Sequence, residues 1–173
     1  MIELERTYLL KTIPKDLTKS NFKEIIDIYI PKNSNHPVLR IRKNGNKYEM
    51  TKKQPVHGKD SSKQEEQTII LSSEEFESLN NIDGKKVHKI RYNYEYNNKV
   101  LEVDVFQEEL QGLILVDVEF ENEEDMASFE MPDFCLIEVT QEKTFAGGMI
   151  CGKSYIDIEK KLNEYKYNKL ILN

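Results

Sequence analysis

With 173 residues, 31 acidic against 25 basic side chains and a net charge of −6, the chain suits one domain spanning 1–173, able to bury a core without disulfides or a structural metal. Its acidic balance excludes a surface that coats duplex nucleic acid. No apolar run approaches a bilayer span and the first residues alternate charge rather than forming a secretory apolar core, so no membrane is expected and the cytoplasm is the expected compartment.

In chain order, period-2 alternation with β-branched and aromatic content predicts strands over Ile2–Leu10, Ile25–Ile30, Val38–Arg42, Lys47–Lys53, Glu65–Leu71, Val87–Tyr96, Val100–Phe106 and Ile114–Glu121. A short helical turn is expected over Thr18–Lys23. The stretch QPVHGKDSSKQ, residues 54–64, reads as a mobile loop within the domain. Ser73 before EEFESL and Asn122 before EEDMASF each place a capping side chain ahead of acids and then apolar residues, which predicts two helices, and a last helix should run through SYIDIEKKLNEY. Cys135 and Cys151 form no CxxC pair and read as core thiols. His36, His57 and His88 are scattered and suit surface or loop positions. The tyrosines of RYNYEY alternate as strand packing requires.

Charge on the strands is sorted. VLRIR puts Arg40 and Arg42 on one face opposite Leu39 and Ile41, and HKIR does the same with Lys89 and Arg91. LEVDV pairs Glu102 with Asp104, VDVEF pairs Asp117 with Glu119, and IELE pairs Glu3 with Glu5. A solvated sheet needs no such doubling, because water asks only for soluble side chains. If the sheet closes on itself, the charged faces become a lumen and the aliphatic faces pack outward under the helices. Carboxylate pairs are hard ligands suited to Mg²⁺ or Mn²⁺, and Arg and Lys pairs suit phosphate oxygens. Together they describe a site for a metal-bound polyphosphate, whose chemistry asks chiefly for positioning and charge neutralisation.

These motifs resemble, in order, those of the CYTH family, the triphosphate tunnel metalloenzymes. They are ExExK at Glu3 and Glu5, RxR at Arg40 and Arg42, TxK at Thr51 and Lys53, an ExE-like strand near Glu65, KxR at Lys89 and Arg91, ExD at Glu102 and Asp104, and an ExE-like Asp117 and Glu119. LEVDVFQEELQGLILVDVEF and EVTQEKTF look similar to small bacterial members. The resemblance implies an α+β fold built on an eight-stranded closed antiparallel β-barrel, a tunnel with a charged lumen and flanking helices. It implies Glu3, Glu5, Asp117 and Glu119 as ligands of Mg²⁺ or Mn²⁺, and Arg40, Arg42, Lys53, Lys89 and Arg91 as binders of a small-molecule triphosphate. Glu5, Lys89 and Glu119 would act in catalysis, while Glu65, Glu102 and Asp104 would orient the cations. The implied reaction is hydrolysis of a small triphosphate, inorganic tripolyphosphate first and thiamine or nucleoside triphosphate next, by a monomer or homodimer.

Two positions depart from the family pattern. Thr7 stands where the lysine of ExExK is expected, with Lys143 as a substitute cation, and Gln67 takes the second acid of the fourth motif unless Glu66 and Thr68 are the inward pair. These departures keep a class IV adenylyl cyclase and a non-catalytic polyphosphate-binding or nucleotide-binding module as alternatives.

Overall fold

The computed structural model describes residues 2–56 and 60–172. Nine strands form one antiparallel sheet: β1 (Ile2–Leu10), β2 (Asn21–Ile30), β3 (Leu39–Asn44), β4 (Lys47–Pro55), β5 (Lys63–Leu71), β6 (Lys85–Tyr96), β7 (Lys99–Phe106), β8 (Ile114–Phe120) and β9 (Cys135–Glu138). Their order is β5-β4-β3-β2-β6-β7-β8-β1-β9, and a further pairing of β5 with β1 closes the first eight into a barrel. That closure is short, running from Ile2 opposite Glu65 to Leu4 opposite Lys63. Beyond it β1 turns to β9, with Tyr8 opposite Glu138 and Leu9 opposite Ile137.

Four helices flank the barrel: α1 (Ser73–Leu79), α2 (Glu123–Ser128), α3 (Gly147–Ile150) and α4 (Tyr155–Glu164). Ser72 rather than Ser73 caps α1, in a reciprocal arrangement with Glu75 that satisfies two helix-terminal N–H groups. Asn122 caps α2 through the Asp125 N–H, as its sequence suggests. The helical turn expected over Thr18–Lys23 shrinks to a single 3₁₀ turn at Leu17–Lys19, and β2 already runs through Asn21, because Asn21, Phe22 and Lys23 pair with Asn93, Tyr92 and Arg91 of β6. No helix of the described residues is long and apolar enough to cross a membrane.

Alternation along each strand divides the core. Outward-facing Tyr8, Leu101, Val103, Val116 and Val118 of β1, β7 and β8 form one layer, covered by Met126, Phe129 and Phe134. On the opposite wall Ile28 and Ile41 lie under Phe76 of α1. A third cluster lies at one end of the lumen itself, where Leu9, Tyr29, Val87, Phe106 and Leu115 meet Val139, Phe145, Ile150 and α4. The C-terminal segment therefore fills one end of the barrel with apolar side chains. Cys135 and Cys151 are both free and buried, and burial pushes their thiols up to about 12 and about 11.

The fit of this plug depends on an absent side chain. A Cβ on Gly148 would lie 2.1 Å from the Pro37 carbonyl oxygen, a backbone atom that cannot rotate away. Gly148→Ala should therefore lower the urea unfolding midpoint by the equivalent of about 1–3 kcal/mol at unchanged slope; an unaltered midpoint would show that the loop before β3 does not press on α3.

Candidate active site in the barrel lumen

The lumen is a cavity of about 390 Å³, and its described lining includes ten carboxylates and six Lys or Arg side chains, a formal balance of −4. The strand registers bring the pairs read from the sequence to one interior. Glu5 faces Glu119 and Thr7 faces Asp117 across β1 and β8; Glu102 faces Asp117 across β7 and β8; Arg91 faces Asp104 across β6 and β7.

Asp104 is the centre of one cluster. It is 1% exposed and accepts from Arg91 Nε and Nη2 at 2.6 Å each, and also from Lys89. Arg91 extends to Glu102 and, at 3.2 Å, to Asp117. Burial opposes the charge on Asp104, but Arg91 and Lys89 outweigh it and hold the carboxyl at about 2. Lys89 is shifted down, chiefly by burial against the attraction of Asp104.

Asp27 anchors a second cluster. Arg42 grips it through both oxygens, at 2.6 and 2.8 Å, and Arg40 Nε stands 4.0 Å away. Burial again works against the carboxylate, and Arg42 followed by Arg40 pulls it well below the usual range. Arg40 also donates to the Tyr29 hydroxyl at 3.1 Å and approaches Glu66 at 3.8 Å, while its buried Nε has no hydrogen-bond partner among the described residues.

The third cluster joins Lys53 to Glu3 and Glu5 at 2.7 Å each. Gln64 donates to the other oxygen of Glu5 at 2.8 Å. Burial raises the Glu5 carboxyl despite Lys53, with Asp117 and Glu3 adding to the rise. On Lys53 burial acts downward, but Glu5 and Glu3 prevail and raise it. Thr7 donates to Asp117 at 2.7 Å, so a neutral hydroxyl occupies the position where the family lysine is expected. Glu119 has no ion pair among the described residues, although it lines the cavity beside Glu5. No three acidic or histidine side chains among those residues are gathered as a ready-made metal site. The donors nevertheless suit a hard divalent ion, being carboxylate oxygens on neighbouring strands, with Lys53 between two of them.

Several expected positions move. Glu65 is exposed on the outer face of β5, whereas Gln64 and Glu66 line the lumen, and Thr68 bonds the lumen-facing Thr51 at 3.1 Å. Gln67 is also exposed, so its lack of charge removes nothing from the site. The cause is KQEEQT, polar on both faces, where a one-residue shift leaves no apolar penalty to fix register. Lys143 is exposed in the turn Lys143–Phe145 and does not line the cavity; Phe145 takes the buried place in that turn. His36 lies in the loop before β3, His88 sits on the outer face between Glu24 and Glu108 at 3.1 Å each, and His57 lies outside the described residues. Lys23, Asp27 and Glu49 line the lumen without having been singled out. None has a like charge two residues away in its strand, and the signal that finds them is alternation in phase with Tyr29 on β2 and Lys53 on β4.

Asp104 has an ordinary value of 3.8, so the stability it contributes is complete above that pH and is lost as pH falls to about 2. Asp104→Asn should cost about 3–5 kcal/mol near neutrality by leaving Lys89 and Arg91 undercompensated. Urea titrations should show its deficit shrinking as pH drops from about 4 toward 2; a deficit constant with pH would contradict the ionised cluster.

The sequence model of the CYTH domain family matches residues 1–133. The chain is 30% identical over 147 residues to the inorganic triphosphatase of Nitrosomonas europaea, covering 84% of this chain and 93% of that protein. A solved inorganic triphosphatase superposes with a TM-score of 0.63 at 27% identity, over 87% of this chain and 95% of the other. A putative adenylate cyclase from Bacillus halodurans shares the fold alone, with a TM-score of 0.52 and 15% identity over 99% of this chain and 93% of its own. Sequence match and closed charged barrel agree, and the chain belongs to the CYTH domain family.

Proposed function

We propose that this chain is a divalent-metal-dependent hydrolase of small triphosphates, with inorganic tripolyphosphate as the first substrate and thiamine or nucleoside triphosphate next. The carrying observation is the charge of the lumen. Six cations of the described lining offer a polyphosphate its binding groups, yet ten carboxylates leave that lining formally at −4, so a highly charged anion needs added positive charge to enter. The naming of the 30%-identical relative as an inorganic triphosphatase supports the same reading. The apolar plug at one end of the lumen favours a substrate without a bulky group on that side.

Glu3, Glu5, Asp117 and Glu119 would hold the ion, which when bound supplies neutralisation of the phosphate oxygens and acidifies the attacking water. Arg40, Arg42, Lys53, Lys89 and Arg91 would bind and align the phosphate chain, the guanidinium forks taking two oxygens each. Lys53 has a double part, since its movement from Glu3 and Glu5 to a phosphate delivers a cation and frees two carboxylates. A carboxylate of the Glu5–Glu119 pair takes a proton from the attacking water. The water oxygen bonds to the terminal phosphorus as the P–O anhydride bond breaks, and Lys89 offsets the charge growing on the leaving pyrophosphate.

A colorimetric phosphate assay with tripolyphosphate, ATP and thiamine triphosphate, each with Mg²⁺, Mn²⁺ or chelator, tests the proposal. Release should be fastest from tripolyphosphate and abolished by chelation. Absence of release with every substrate, accompanied by ligand-induced thermal stabilisation, would point to a binding module; cyclic AMP formed from ATP would point to a cyclase. Glu5→Gln should reduce metal-dependent turnover by about 100-fold. Arg40→Gln should mainly raise KM, by about tenfold; Arg40 is the better probe than Arg42, whose removal would leave buried Asp27 without its bidentate partner.

A further inference from the structure

Five of the six cations in the described lining of the lumen already have carboxylate partners. Lys23 does not: among the described residues its side chain makes neither a hydrogen bond nor an ion pair. It is half-buried on the lumen face of β2, directly opposite Arg91 of β6. Burial lowers its pKa first, then the like charges of Arg91 and Arg42, against smaller attractions from Asp104 and Glu49. An ammonium with no carboxylate in contact, beside two guanidinium groups, gains from an anion that joins them.

The same recess holds a second uncommitted group. Asn44 lines the lumen, and its side-chain carbonyl is buried without a hydrogen-bond partner among the described residues. Gly45, the next residue, turns back beside Lys23, with its N–H donating to the Glu24 carbonyl at 2.8 Å. The Asn44 amide is consequently free to turn its NH₂ toward an acceptor.

We propose that Lys23, with Arg42 and Arg91, forms a subsite that holds the end of the substrate's phosphate chain at the mouth opposite the apolar plug. This rests on the triphosphate reading of the lumen and extends it by assigning a charged contact outside the sorted pairs of the other strands. The subsite takes phosphate oxygens of an unsubstituted chain end, for which an ammonium point charge is adequate. It also gives the lumen a cation while position 7 is threonine.

The test uses the full chain with saturating Mg²⁺ and follows tripolyphosphate hydrolysis from about pH 7 to about 10 for the parent, Lys23→Gln and Lys23→Arg, with calorimetric binding and unfolding midpoints alongside. Lys23→Gln should raise KM about tenfold and change kcat by less than about twofold. In the parent, binding should weaken as Lys23 loses its proton at high pH; Lys23→Arg should restore KM and shrink that alkaline rise to the part that Lys89 contributes, because guanidinium stays charged. A Lys23→Gln protein folded like the parent, with the parent's KM at every pH, would overturn the subsite while leaving the hydrolase intact. A Lys23→Arg protein with the parent's full alkaline rise would overturn it as well. A parent that neither binds nor hydrolyses tripolyphosphate would overturn the reading of the lumen and the subsite together.

Discussion

A barrel with its charges inside depends on carboxylates that keep buried cations charged, and Asp104 between Lys89 and Arg91 is the central instance. Without such a counter-ion, burial would push the ammonium toward its neutral form and leave the guanidinium unsatisfied. Buried ion pairs of this kind add little net stability, since desolvation offsets most of their attraction. Their consequence is positional. The cations stand charged and aimed into the cavity, while stability comes from aliphatic layers outside the sheet and from the apolar plug.

The same pairing shapes the chemistry. On the proposed function, substrate binding would be an exchange of partners, in which Lys53 would leave Glu3 and Glu5, and Arg40 would turn from weak contacts at 3.8 and 4.0 Å toward phosphate. Asp104 and Asp27, each 1% exposed, remain to hold Arg91 and Arg42. The lumen thus separates into fixed pairs that orient cations and exchangeable ones that a metal and a phosphate chain can divide between them. Asp117 lies at the junction, bonded to Thr7 on one oxygen and to Arg91 on the other.

Much of this was legible wherever charge repeated at every second residue. Alternation at the start of IELERTYLL placed β1 at its observed bounds, and doubled charges on β3, β6, β7 and β8 located the lumen ahead of any strand pairing. Where the pattern was single or two-sided it misled. Asp27 sits in EIIDIYI, a run apolar on both sides, and reveals its role only when β3 brings Arg42 opposite it. Lys23 reads as part of a helical turn because Asn21 and Lys23 carry little strand propensity, and the segment gains its conformation from β6. In KQEEQT both faces are polar, so the choice between Glu65 and Glu66 belonged to pairing with β4, which sets Lys53 opposite Glu66. The four residues of β9 were too short to show alternation and are strands only because β1 offers a free edge beyond its contact with β5. The apolar plug was likewise hidden, since Leu9, Phe106 and Leu115 share the lumen face with acids of their own strands.

The partner exchange at Lys53 is the claim on which the functional account turns. Anomalous scattering from crystals grown with Mn²⁺ and tripolyphosphate, using Glu119→Gln if needed to slow turnover, addresses it directly. The account expects manganese within the lumen at Glu3 and Glu5, with Lys53 displaced onto a phosphate oxygen. Manganese outside the barrel, or Lys53 still between Glu3 and Glu5 with the phosphate chain bound, would contradict it.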